Sequence, residues 1–229
     1  MARSARFPFG EDALLLADFA RPANGEKACD LCSGSGIVPL LWCRKGASRP
    51  AQIHALDFQP EAVALMRLSI RENRLEDVIV PLCADIRELR SLPDAGAFDL
   101  VSCNPPYFAR GSGAVSPRAE KAAARHELFC TLSQAAAAAR RLLRFGGRFA
   151  LCHRPERLPD VLEALRAADL EPKRLCLAYH RLESAPWLIL AEGRRGGRPG
   201  LRIEPPIYMR DVGGRPLEAG QTLCGEEWR

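Results

Sequence analysis

Two hydrophobic periods alternate along this chain. Residues 11–20, EDALLLADFA, place apolar side chains at helical spacing and stop at the breaker Arg21-Pro22-Ala23-Asn24-Gly25. KACDLCSGSG then reads as a short buried strand running into a glycine turn. IVPLLWCRKG reads as a helix that tolerates Pro39 in its first turn. AQIHALDF is a second strand. QPEAVALMRLSIRENRL follows as an amphipathic helix opened by Pro60, with Val63, Leu65, Met66, Leu68, Ile70 and Leu75 as its apolar set. DVIVPLCADI and FDLVSCNPPYF read as a third and a fourth strand, the latter stopped by Pro105 and Pro106, which have no N–H for a ladder. A Gly/Ser/Pro-rich loop over 109–120 leads to an alanine-rich helix from Lys121 to Arg144, closed by Gly146-Gly147. The remaining elements are a fifth strand in GRFALCH, a helix in PERLPDVLEALRAADL, and two strands in PKRLCLAYH and APWLILAEG.

Strands alternating with helices predict a mainly parallel sheet covered on both faces. Only the short RLES connection joins the last two strands, which forces an antiparallel hairpin at one edge. The expected fold is therefore α/β and Rossmann-like, with the seven-stranded topology of class I methyltransferases. Residues 1–229 are expected to form a single domain, with 1–26 covering the ligand site and 194–229 as a wrapped, Gly/Pro/Arg-rich extension.

Ligands of open α/β sheets sit at the carboxyl ends of the strands, and here those ends carry the polar residues. Gly34 and Gly36 let the backbone turn and approach a ligand closely. Position 39, where the dinucleotide fingerprint needs its third glycine, is Pro39, which disfavours NAD or FAD. An acid before the glycines is instead the S-adenosylmethionine pattern, with Asp30 placed to meet the methionyl ammonium. Asp57 lies about twenty residues past the glycines, where a carboxylate grips a ribose diol. Phe58 beside it can cover an adenine face. Asp85 ends the third strand, where it can accept from the adenine amine while the backbone near Ala84 meets the ring. Any one of these acids alone reads equally well as a helix cap or a turn residue. Three at successive strand ends point to one cofactor.

The fourth strand delivers Asn104-Pro105-Pro106-Tyr107 beside that pocket. The prolines fix the corner, the Asn104 carboxamide oxygen and the Pro105 carbonyl can accept both hydrogens of one NH2 group, and Tyr107 offers a stacking face. A conjugated amine is a poor nucleophile, and two acceptors that favour a pyramidal nitrogen aim its lone pair at the methyl donor.

The blocks FGEDALLLADF, DLCSGSG, DFQPEAVALMRLSIRENRL, CADIRE, FDLVSCNPPYF, KAAARHE, LLRFGGRFALCHRPERL and LRIEPPIYM together resemble the bacterial tRNA(Val) adenine-N6 methyltransferase family. The resemblance implies an S-adenosylmethionine-dependent enzyme, releasing S-adenosylhomocysteine, that methylates N6 of the adenine 3′ of the anticodon. It implies cofactor contacts from Phe9, Gly10 and Asp12, from Asp30, Cys32, Ser33, Gly34, Ser35 and Gly36, from Asp57, Phe58 and Gln59, from Ala84, Asp85 and Ile86, and from Asn104 and Pro105. Catalysis falls to Asn104, Pro105 and Tyr107, and substrate contacts to Pro106, Tyr107, Phe108, Arg110, Arg118 and Lys121. Arg125-His126-Glu127 matches the family's ARHE block and is expected to order the 109–120 loop. Where the family usually has a glycine, this chain has Cys32, at a point where the backbone must still turn sharply. The same corner serves glutamine-N5 methylation of release factors, an rRNA base is an alternative substrate, a DNA adenine methyltransferase would need a target-recognition insertion that no segment here is long enough to supply, and the fold also occurs in adaptors without catalysis. The short stretch before Asp30 argues against the first of these.

Composition adds little. A formal charge of +5 is compatible with a polyanionic partner, and phosphates are expected along Arg110, Arg118, Lys121 and the Arg194–Arg202 tail. Nine scattered cysteines do not make a secreted disulfide framework, and the Cys29/Cys32 pair lacks a second metal-binding pair, so reduced thiols and no metal are expected. The acids Glu11, Asp12 and Asp18 interrupt the first apolar run, which is wrong for a signal peptide. The expectation is a cytoplasmic, membrane-free protein that binds tRNA and is more readily a monomer.

Overall fold

A computed structural model describes residues 10–44, 46–105, 131–211, 213 and 215. Helix α1 (Glu11–Phe19) leads into β1 (Lys27–Leu31), α2 (Ile37–Trp42), β2 (Gln52–Asp57), α3 (Pro60–Glu72), β3 (Ile79–Cys83) and β4 (Phe98–Cys103). After the gap come α4 (Leu132–Leu142), β5 (Leu143–His153), α5 (Leu158–Ala167), β6 (Leu170–Arg181) and β7 (Pro186–Arg195), then the short β8 (Arg202–Ile203) and β9 (Ile207–Arg210). The sheet order is β3-β2-β1-β4-β5-β7-β6-β8, with β9 also on β6. Pairing is parallel from β3 through β5, whereas β7 runs antiparallel between β5 and β6. The switch point falls between β1 and β4, where the strand order reverses direction.

Side chains alternate between the two sheet faces, which splits the core in two. Ala28, Ile53, Ala55, Leu100, Ala150 and Cys152 pack on one face with α1, α2 and Met66 of α3. Cys29, Leu31, Val101, Cys103, Phe149 and Leu151 pack on the other, against α4 and α5. Trp42 anchors α2 to α1 by burying its ring completely and donating its indole N–H to the Ala17 carbonyl at 3.0 Å. At the amino ends of the strands, Arg148 pairs with Glu26 at 2.7 Å and Arg174 with Glu192 at 2.8 Å and Glu204 at 2.7 Å. These partly buried, charge-assisted bonds tie β1, β5, β6, β7 and the tail together.

Two sequence expectations are corrected here. Gly146-Gly147 do not close a helix. Helix α4 begins with a capping box, Thr131 with Gln134, and ends at Leu142; the chain enters β5 directly. The glycines instead belong to an irregularity opposite Phe98 and Leu100. Gly146 has φ +79°, and a Cβ on Gly147 would lie 3.0 Å from the Arg144 carbonyl and 3.1 Å from that of Phe98. The part of the expected helix before Thr131 falls outside the described residues. The tail, for its part, is more than a wrapping: β8 and β9 extend the sheet by parallel pairing with β6.

The turn after β1 demands unusual backbone. Cys32, Gly34 and Gly36 all have positive φ, at 55°, 56° and 86°. A Cβ on Gly36 would sit 2.6 Å from Cγ of the fully buried Met66. Gly25, at φ +75°, has nothing within 4 Å of the same position. Gly25→Ala therefore isolates the left-handed backbone cost of about 1–2 kcal/mol. Gly36→Ala adds an overpacking cost of about 1–3 kcal/mol to it. Urea denaturation of the two variants should show Gly36→Ala clearly the less stable; equal losses would mean that α3 does not press on this turn.

Candidate functional site

The polar residues of the site are the last members of apolar columns on one sheet face. Asp30 follows Ala28 on β1, Ser102 follows Leu100 on β4, Asp57 follows Ala55 on β2, and Cys152 follows Ala150 on β5. Asp30 and Ser102 are register partners, and the Ser102 hydroxyl donates to Asp30 Oδ1 at 2.5 Å. Asp30 is 1% exposed. Burial pushes its carboxyl up to about 7, against the lowering influence of the Ser102 and Ser33 hydroxyls, with the Asp57 carboxylate adding a smaller upward push. Ser33 Oγ is itself buried with no partner in hydrogen-bond geometry.

Asp57, 4% exposed, ties the first two loops together. It accepts the Gly34 N–H at 2.8 Å through Oδ2 and the Gln59 N–H at 2.9 Å through Oδ1. Phe58 and Gln59, next in the chain, are half-buried. Beyond them the Ala84 N–H is taken up by the Asp57 carbonyl at 3.0 Å. Asp85 lies nearer the surface in a fork with Arg87, whose Nε is 3.0 and 2.9 Å from the two carboxylate oxygens and whose Nη2 is 2.5 Å from Oδ2. That guanidinium holds the Asp85 carboxyl below the usual range. Ile86 is buried in the second core.

Asn104, just past β4, is clamped from both sides. Its Nδ2 donates to Asp12 Oδ2 at 3.1 Å, and its Oδ1 accepts from the Cys152 thiol at 3.0 Å. A carboxylate only accepts, so Asp12 dictates which way round the amide lies: nitrogen toward α1, oxygen toward β5. Pro105 beside it is buried. His153, which follows Cys152, is buried too, and desolvation lowers its imidazole to about 4, so it is neutral at pH 7.

Part of this constellation lines one open cleft of about 200 Å³, formed by Gly10, Asp12, Ala13, Asp30, Cys32, Ser33, Gly34, Ser35, Ile37, Val38 and Asn104. Nothing approaches within 4 Å of the place where a Cβ on Gly34 would point. A buried carboxyl group, the buried Ser33 hydroxyl beside it and an open glycine backbone around one cavity fit the amino-acid end of S-adenosylmethionine, while Asp57 and Phe58 do not line it. Gly36 is not exposed to the cleft; it packs on Met66.

The fold thus gathers the strand-end acids, the glycine turn, Asp12 and Asn104. Ser102 and Cys152 were not singled out from sequence, although strand alternation from Asn104 and the fifth strand's last residues carried a signal for both. Phe9, Pro106, Tyr107, Phe108, Arg110, Arg118, Lys121 and the Arg125-His126-Glu127 block lie outside the described residues. The tail arginines are a correction. Because β7 is antiparallel, Arg194 and Arg195 pair with Arg148 and Leu170 at the amino ends of β5 and β6, and Arg202 pairs with Arg174. They occupy the opposite end of the sheet from Asn104 and do not flank its mouth.

Comparison with known proteins agrees with this geometry. A tRNA1(Val) (adenine(37)-N6)-methyltransferase from Tolumonas auensis is 26% identical over 206 residues, covering 90% of this chain and 83% of that protein. A protein of the same description from Porphyromonas gingivalis strain W83 is 30% identical over 191 residues, covering 81% and 73%. Among solved structures, a predicted O-methyltransferase from Agrobacterium tumefaciens superposes with a TM-score of 0.72 at 17% identity, covering 93% of this chain and 94% of its own. A geranyl diphosphate C-methyltransferase from Streptomyces coelicolor, in complex with S-adenosyl-L-homocysteine, superposes at 0.56 with 14% identity, covering 81% and 80%. These two share the Rossmann-like fold of this chain. The methyltransferase small domain profile matches residues 10–163, so the chain belongs to the methyltransferase small domain family.

Proposed function

We propose that this protein transfers a methyl group from S-adenosylmethionine to the exocyclic N6 of an adenine in tRNA, at the position 3′ of the anticodon. The fixed orientation of the Asn104 carboxamide at the rim of the cleft carries the reading. The base itself is drawn from the description shared by the relatives.

Bound in the cleft, S-adenosylmethionine supplies a methyl group on a positively charged sulfur. Asp30 balances the methionyl ammonium, Ser33 and the Gly34 backbone line the amino-acid end, and Asp57 takes the ribose hydroxyls with its remaining lone pairs. Phe58 covers an adenine face. Asp85 reaches the adenine amine by sharing its carboxylate with Arg87.

Asn104 holds the substrate amine. Its Oδ1 has a second lone pair beyond the one facing Cys152, and Pro105 contributes a backbone carbonyl without an N–H of its own. Each accepts one hydrogen of the NH2 group, favouring a pyramidal nitrogen whose lone pair points into the cleft. As the new N–C bond forms and the methyl–sulfur bond breaks, the positive charge passes from sulfur to that nitrogen and both hydrogen bonds strengthen, which is transition-state stabilisation by preset acceptors. The extra proton then leaves to water. Tyr107 stacks on the base, which must leave its helical or loop stack to enter.

Asn104→Ala removes one acceptor and should lower kcat by about 10²–10³-fold, with S-adenosylhomocysteine affinity kept within a few-fold by calorimetry. Asp12→Asn offers a donor as well as an acceptor, so the amide loses its fixed orientation; kcat should fall while the variant stays folded by circular dichroism. Full activity in Asn104→Ala would refute the amine-holding role, and methylation of a glutamine in a release-factor peptide but not of tRNA would replace the substrate.

A pH dependence follows from Asp30. With a carboxyl near 7 in the free protein, cation binding must ionise it and release a proton. S-adenosylhomocysteine affinity should be flat above pH 7 and weaken roughly tenfold per unit below it. Calorimetry in buffers of different ionisation enthalpy should detect the released proton, and Asp30→Asn should abolish that release. A wild-type affinity unchanged between pH 5.5 and 8 would remove Asp30 from the ammonium site.

A further inference from the structure

The carboxyl end of the sheet carries a second cluster, outside the cleft. Both β5 and β6 are antiparallel to β7, and β9 is parallel to β6. The end of β6, the start of β7 and the end of β9 therefore lie at the same edge of the sheet as Asp30 and Asn104. On one face of this rim, the His180 imidazole stacks on the Trp187 indole, 4.6 Å between centroids and 5° between planes. Trp187 is half-buried against the first core, while the His180 side chain is 55% exposed. On the other face, the rings of Tyr179 and Tyr208 lie 5.1 Å apart at 33°, both partly accessible. Arg181 and Arg210 are register partners two residues beyond Tyr179 and Tyr208, on the tyrosine face at the tip of the rim, and both are exposed.

The cluster is continuous with the reacting corner. His180 Nδ1 is 3.8 Å from a Glu11 carboxylate oxygen, and the next residue, Asp12, is bonded to Asn104. The first turn of α1 thus touches both the rim, through Glu11, and the amine site, through Asp12. A ring packed on tryptophan from below and open above is a base-sized platform. Long arginine side chains at the ends of the same strands reach past the rim to the phosphates of a strand that crosses it. Glu11 and the exposed Glu183 face the same rim and repel phosphate, so the stacking faces rather than net charge give the surface its selectivity for unpaired bases.

We propose that this rim binds the single-stranded RNA next to the target adenine, with an unpaired base stacked on His180 and phosphates on Arg181 and Arg210. The proposal rests on the tRNA reading above and replaces the tail arginines as the RNA-facing cations. A base stacked on a side chain is worth about 1–3 kcal/mol by alanine substitution. His180→Ala should therefore weaken binding of a tRNA-Val anticodon stem–loop about five- to hundredfold, and His180→Phe should restore most of it. Removing Arg181 or Arg210 should each reduce the slope of log affinity against log salt by about one, and S-adenosylhomocysteine affinity should stay within twofold in every variant. Wild-type stem–loop affinity in His180→Ala, or no recovery in His180→Phe, would overturn the platform while leaving tRNA methylation standing. A wild-type protein that neither binds nor methylates the stem–loop would overturn the tRNA reading itself.

Discussion

The hydrogen bond from Ser102 to Asp30 is the constraint on which the site depends. A carboxylate this deeply buried is costly without a partner, and Ser102 is aligned with it by strand pairing alone. The β1–β4 register that meets this need also fixes Asn104, two residues farther along β4, relative to Asp30. The residues proposed to meet the cofactor and the amine are thus set by one parallel pairing at the switch point of the sheet. Chemistry that needs two reactants held in line gains from such a shared rigid support.

Two further ties turn that pairing into a closed constellation. Asp57 joins the glycine turn to the end of β2 by accepting Gly34 and Gln59 backbone donors. Asp12 reaches from the first turn of α1 to Asn104, across 92 positions of sequence. The three strand-end acids have different surroundings despite similar positions: Asp30 is buried with hydroxyls, Asp57 is buried among backbone donors, and Asp85 lies nearer solvent with Arg87. Environment separates their roles, although their chemistry is the same.

Much of this was legible in the sequence because strands ending in acids, glycines or prolines announce both the direction of the chain and the ligand end of the sheet. Alternating helices and strands gave the parallel order, and the short RLES link gave the reversed strand, which the structure confirms as β7. What pattern could not deliver was pairing between distant residues. Cys152 meets Asn104 only through the β4–β5 register. Gly146-Gly147 look like a helix stop until the irregularity opposite Phe98 is seen. The two tail strands are only two and four residues long and are set among Gly, Pro and Arg, so the sequence pattern there is too short to announce them, and pairing with β6 is what makes them strands. The tail arginines lie far from Asn104 because reversing β7 carries its carboxyl end to the other side of the sheet, a consequence of topology that no local sequence pattern displays.

The columns that run from Ala28 to Asp30, Leu100 to Ser102 and Ala150 to Cys152 have one more implication. Core and reactive groups share a single two-residue period, so a one-residue slip of β4 would turn Leu100 out of its core and remove Ser102 from Asp30 in the same movement. A slip by one residue therefore costs the sheet its packing and its acid's partner together. Folding accuracy and readiness for ligand are therefore one property of this sheet, and a population that has reached its packed state has, by the same geometry, assembled the described half of its site.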